Sequence, residues 1–226
     1  MIFFDPLYFL YVMPAFLFAL WAQMRIKTTY AQAQQMSAPL SGVAAARHIL
    51  DSAGLQDVAI EQIPGELSDH YDSRTKVLRL SSDVYQNRTL AAVGIAAHEA
   101  GHAIQDSIAY APLVLRNAAV PAAGIGSNLG ILLVVLGAVF SHYLVLVGIG
   151  LFSCVVIFQL VNLPVEFNAS SRAKAQLVQL GIINEEQLAY VRKVLFAAAL
   201  TYVAATLQAI LTLLYLIMRF SGGSRD

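Results

Sequence analysis

The stretch from Asn117 to Val165, NAAVPAAGIGSNLGILLVVLGAVFSHYLVLVGIGLFSCVVIFQLVNLPV, contains no Asp, Glu, Lys or Arg. A hydrocarbon core of roughly 30 Å is crossed by about 20 helical residues, so this run is long enough for two spans. Ser141-His142-Tyr143 is the natural tip of the hairpin between them. Working outward, a third uncharged run lies between Lys193 and Arg219, and a fourth extends from Leu7 to Met24. The fourth lacks a basic n-region before it and an Ala-x-Ala cleavage site, and Tyr8, Tyr11 and Trp21 suit membrane interfaces. It therefore reads as a retained anchor and not as a removable signal peptide. Composition agrees, because 58% of residues are hydrophobic and 12% charged, against roughly 25% charged in soluble domains. The expected fold class is mostly α and integral to a membrane, with four transmembrane helices.

Lys plus Arg and Asp plus Glu number 14 each, so the formal net charge is zero. That balance lacks the basic excess of a nucleic-acid binder, and no nucleic-acid partner is expected. The single cysteine, Cys154, excludes an intramolecular disulfide framework, and its apolar neighbours point to a buried packing role. Eight of the 14 cations lie from Arg25 to Arg116 and four more from Arg172 to Lys193, while the hairpin tip has none. The positive-inside rule then puts both polar segments in the cytoplasm and both termini outside a membrane crossed several times. The resulting plan is an anchor helix (1–24), an α+β catalytic segment (25–116), a transmembrane hairpin (117–165), a helical segment (166–193), a last span (194–219) and a tail (220–226).

Within the first polar segment, Ser41 can cap a helix through Val43, Ala44, Ile49 and Leu50, which Gly54 would close. Val58-Ala59-Ile60 reads as a strand. Leu67 to Tyr71 and Lys76 to Leu80 flank Asp72-Ser73-Arg74-Thr75 as a hairpin. A helix follows from near Thr89 and should end before Pro112. Ala31 to Pro39 and the tail Ser221 to Asp226 read as linkers. Gly126 and Gly130 have the spacing of closely packed membrane helices, which fits contact within the chain or between two copies; the oligomeric state is left open.

That last helix carries His98-Glu99-Ala100-Gly101-His102. Histidines at i and i+4 share one helix face and can hold one Zn²⁺ at about 2.0–2.1 Å, while the intervening Glu reaches the reacting water. An isolated histidine more often satisfies a neighbour, and His48 and His142 read that way. Catalytic zinc takes three protein ligands, so a third is needed. Glu166 is the choice, because a carboxylate at a membrane boundary beside Val165 and Phe167 is costly unless bound, and Pro164 lets a helix begin there. A hairpin between positions 102 and 166 returns both to one side of the membrane. The rivals Glu185 and Glu186 read as a solvated first-turn pair after Asn184.

The implied chemistry is peptide-bond hydrolysis by a zinc-activated water, with one zinc per chain and a peptide or protein as substrate. Glu99 takes the water's proton and passes it to the leaving amine. His70, Tyr71 and Arg172 are candidates for the oxyanion or substrate contact. The strand just before the metal helix could offer an edge to an extended peptide. The alternative is a non-catalytic membrane protein braced by structural zinc, which would have no use for Glu99.

The chain resembles the YugP-like neutral zinc metallopeptidases of bacterial membranes over nearly its whole length. The resemblance rests on Phe4-Asp5-Pro6, Asp69-His70-Tyr71-Asp72 with Val77 to Ser81, Ala92 to Gln105, Tyr110-Ala111-Pro112-Leu113 and Leu163 to Phe167. It implies a multi-spanning zinc protease similar in plan to HtpX-like quality-control proteases, with a small zincin-like unit. It also implies His98, His102 and Glu166 as ligands and Glu99 as the catalytic residue. HtpX-like chains carry Ala-Asp after the ligand Glu, where the Asp orients a ligand histidine. This chain has Ala169-Ser170, so Ser170 or Asn168 must take over that support. Ser171 stands where the family pattern would have a basic residue.

Overall fold

The computed structural model describes residues 5–65 and 67–220. Phe4 and residues 221–226 of the expected tail lie outside the described residues. The chain packs as two compact units, one of Met1–Ala22, Val114–Pro164 and Leu200–Asp226, the other of Gln23–Leu113 and Val165–Ala199.

Four helical segments are long and apolar enough to cross a membrane. They are α1 (Pro6–Gln34), the run from Ala111 to Phe140, α7 (His142–Gln179) and α8 (Glu185–Phe220). The second comprises α5 (Ala111–Ile125), a π-helical turn (Gly126–Gly130) and α6 (Ile131–Phe140). At most 39% of the most apolar window of any of these is buried, so most of their side-chain surface needs an apolar solvent to cover it. Phe140 and Tyr143 at the hairpin tip are 75% and 81% exposed.

In the first unit the small residues have a direct use. A Cβ on Gly126 would sit 2.3 Å from the Leu151 carbonyl oxygen, and one on Gly148 would sit 2.6 Å from the Gly130 carbonyl oxygen. The glycine spacing therefore serves contact within the chain. Asp5 caps α1 through the Leu7 N–H at 2.9 Å and accepts from the Tyr215 hydroxyl at 2.9 Å, so it ties the start of α1 to the end of α8. Cys154 is half-buried and not fully enclosed.

The second unit is built on α2 (Gly42–Ser52), β1 (Ala59–Ile63), β2 (His70–Asp72), β3 (Val77–Ser81), α3 (Ser82–Gln86) and α4 (Leu90–Ser107). Ser41 accepts from the Ala44 N–H and Thr89 from the Ala92 N–H, which sets the starts of α2 and α4. Asp72 accepts from the Arg74 N–H and the Thr75 hydroxyl, folding the turn between β2 and β3. The sheet runs β1-β3-β2, with β1 parallel and β2 antiparallel to β3. The strand before α4, β3, is thus the central one, with both edges paired, and the outer edges belong to β1 and β2. The core joins Ile49 and Leu50 of α2, Leu78 and Leu80 of β3, Val93, Ala97 and Ala100 of α4, Leu177 of α7 and Val191 of α8.

Two helix boundaries differ from the sequence reading, and the first hairpin strand is shorter, His70–Asp72 against the expected Leu67 to Tyr71. α1 continues to Gln34, through the first part of the stretch read as a linker. α7 passes unbroken through Pro164, where a new helix was expected to start. Proline removes one helical bond, at a cost of ~3 kcal/mol, yet Val165 and Ala169 on the next turn are fully buried and hold the helix in place.

Candidate metal centre

On α4, His98 and His102 lie one turn apart, and the ring Nε2 of each faces the same carboxylate. Glu166 Oε2 is 3.2 Å from His98 Nε2 and 3.7 Å from His102 Nε2. One ligand atom from each of the three residues lies within 4.8 Å of the others. A tetrahedral ion with arms of about 2.0–2.1 Å sets its ligand atoms about 3.3–3.4 Å apart, so this donor set has the size and chemistry of a zinc site. His102, Glu166 and the neighbouring Glu99 are all buried.

The other face of each imidazole is also occupied. His98 Nδ1 lies 3.2 Å from Ser170 Oγ, and His102 Nδ1 lies 3.0 Å from Gln105 Oε1. Gln105 is fully buried, and its amide nitrogen donates to the Val165 carbonyl (2.8 Å) and to Asn168 Oδ1 (3.0 Å). With its nitrogen committed, Gln105 can only accept from His102, so Nδ1 carries the proton and Nε2 keeps its lone pair for a metal. Arg172 Nε donates to the same Asn168 oxygen at 2.7 Å. Burial alone would lower the His102 imidazole, but the Glu166 carboxylate, with Glu99 and Gln105, carries it above its ordinary value.

α7 reaches α4 because Gly101 has no side chain. A Cβ there would meet the Ala169 carbonyl oxygen at 2.7 Å. The glycine between the two histidines thus allows Glu166, one turn before Ala169, to approach the ring nitrogens. Glu99 is held from the sheet side, where its Oε2 accepts the Tyr71 backbone N–H at 3.1 Å.

The expected oxyanion candidates are not gathered at the cluster in the same way. The Tyr71 hydroxyl donates to Asp106 at 2.7 Å, and Lys76 pairs with the same carboxylate. Burial, reinforced by Asp106, holds the Tyr71 phenol above its ordinary range, so it stays protonated. Arg172 is committed to Asn168, and His70 is exposed on β2 with Nδ1 against the Ser68 carbonyl. Asn168 acts at one remove, through Gln105, while Ser170 touches a histidine directly. His48, His142, Glu185 and Glu186 are all exposed and stand apart from the cluster. Gln105 is the residue that sequence reasoning missed; its signal was its place three positions beyond His102, on the same helix face. Asp69 was missed as well. It accepts the Ser81 N–H at 2.8 Å and ties the approach of β2 to the end of β3. Burial raises its carboxyl, with the Ser81 bonds opposing.

A family model described as "Putative neutral zinc metallopeptidase" matches residues 8–221. The chain is 45% identical over 207 residues to "Putative membrane protease YugP" of Bacillus subtilis (strain 168), covering 90% of this chain and 92% of the relative. No solved structure matches. With the match spanning all but the extreme ends, this chain belongs to the neutral zinc metallopeptidase family.

Proposed function

We propose that this protein is a zinc metalloendopeptidase of a bacterial cell membrane, which hydrolyses peptide bonds of protein substrates in membrane-protein quality control or processing. The observation that carries the reading is the convergence of His98, His102 and Glu166, with both Nδ1 atoms tied back and Glu99 buried beside them. His98 Nε2, His102 Nε2 and the Glu166 carboxylate would hold one zinc per chain. Bound there, the ion supplies Lewis acidity, which polarises the scissile carbonyl and acidifies a water. Glu99 accepts the proton of that water as its oxygen adds to the carbonyl carbon. The same carboxyl then gives the proton to the amine as the C–N bond breaks. The Tyr71 N–H aims Glu99 throughout. Because that N–H lies on the outer edge of β2, an extended peptide laid beside β2 passes the carboxylate. His70, exposed on the same strand, is the side chain best placed to meet substrate. Both polar segments face the cytoplasm, and both termini lie outside.

Glu99→Gln in the full-length protein is expected to keep about one zinc per chain and to lose hydrolysis of a quenched-fluorescence peptide. Glu166→Ala is expected to lose the zinc, read by plasma mass spectrometry. Full activity in the first variant overturns the mechanism, and unchanged zinc in the second overturns the third ligand.

A further inference from the structure

A cavity of about 350 Å³ in the second unit is lined by four cations, Arg25, Lys174, Arg192 and Lys193, together with Phe167 and Phe196. None of its lining residues is acidic. Cationic side chains that line one small cavity favour the entry of an anion. The two phenylalanines are exposed, at 42% and 52%, so the same cavity offers apolar surface beside its charge.

The sequence positions of the cations say which anion. Arg25 follows the uncharged run that ends at Met24, Arg192 and Lys193 precede the one that starts at Val194, and Lys174 lies shortly past the one that ends at Val165. Arg25, Arg192 and Lys193 therefore stand where membrane-crossing helices leave the hydrocarbon, at the depth of lipid headgroups, and Lys174 lies about two helical turns beyond on α7. Ser170, which faces His98, also lines the cavity, so an occupant would lie close behind a metal ligand.

We propose that this cavity is a binding site for the headgroup of an anionic phospholipid, with the phosphate among Arg25, Lys174, Arg192 and Lys193 and the start of an acyl chain against Phe167 and Phe196. A peptide carboxylate is disfavoured, because it would not need apolar residues at a membrane boundary.

The test is native mass spectrometry of the full-length protein in neutral detergent, titrated with phosphatidylglycerol, with phosphatidylcholine and with inorganic phosphate. One phosphatidylglycerol should be retained per chain, with phosphatidylcholine and inorganic phosphate at least tenfold weaker. Arg192→Gln/Lys193→Gln, at two exposed positions, should weaken phosphatidylglycerol retention roughly thirtyfold, the effect of removing two interfacial cations. Zinc content and melting temperature should stay unchanged. Lys174→Gln should weaken retention on its own, while Lys174→Arg should preserve it. Equal retention of phosphatidylcholine, competition by inorganic phosphate at matched concentration, or undiminished retention in both charge-removing variants overturns the proposal. So does displacement by an acidic peptide with no phosphatidylglycerol retained, which would make the cavity a substrate subsite.

Discussion

The His102 ring is oriented by Gln105, whose own nitrogen is held by the Val165 carbonyl and Asn168. Replacing Gln105 by Leu keeps most of the volume, leaves the His102 Nδ1–H without an acceptor, and abandons the Val165 carbonyl and Asn168. Support of this kind is worth about 10- to 100-fold in metal affinity. Gln105→Leu is therefore expected to release zinc to a chromophoric chelator at correspondingly lower chelator concentration, while Asn168→Ala, one step further from the ring, should show a smaller effect. Equal affinity in Gln105→Leu would show that the ring is oriented by the protein backbone alone. On the other histidine, Ser170 lies 3.2 Å from Nδ1, and its neutral hydroxyl polarises His98 less than a carboxylate would. Ser170→Asp is expected to tighten zinc binding.

At the scale of elements, α4 is a helix of small residues with His98 and His102 set among them. Ala97, Ala100 and Gly101 let neighbouring elements come close, and Gly101 does so against backbone, which cannot move aside as a side chain can. Gly101→Val should force α4 and α7 apart, cost about 1–3 kcal/mol as overpacking does, and lower the melting temperature and zinc content together. A variant that melts earlier yet keeps full zinc would separate helix packing from ligand delivery. Much of this level was legible beforehand. Thr89 and Ser41 announced helix starts through their caps, and the Asp72 turn announced the β2–β3 hairpin. The parallel pairing of β1 with β3 was not, because a parallel partner is chosen by contacts distant in sequence and leaves no turn signature. Helix ends were misplaced at Gln34 and Pro164 for a related reason: charged residues mark where hydrocarbon stops, and a helix need not stop there.

For the whole molecule, the proposed site requires residues 98–102 and 166 to share one face of the membrane although two candidate spans lie between them in sequence. The motif was legible from spacing, and Glu166 from a carboxylate at the end of an uncharged run. How α7 reaches the histidines was not, because that contact depends on a missing Cβ. In a Cys154→Ser background, single cysteines at Gln86 and Glu186 are expected to react with an impermeant maleimide from the same side, and one at Tyr143 from the other. Labelling of Gln86 and Glu186 from opposite sides would exclude Glu166 as a ligand. The unit that carries the candidate metal centre is also discontinuous in sequence, made of residues 23–113 and 165–199 with the hairpin between. No single cut can therefore release that unit whole from the apolar helices that flank and interrupt it in sequence. Shedding, by which many membrane-tethered enzymes are released and redeployed, is closed to it.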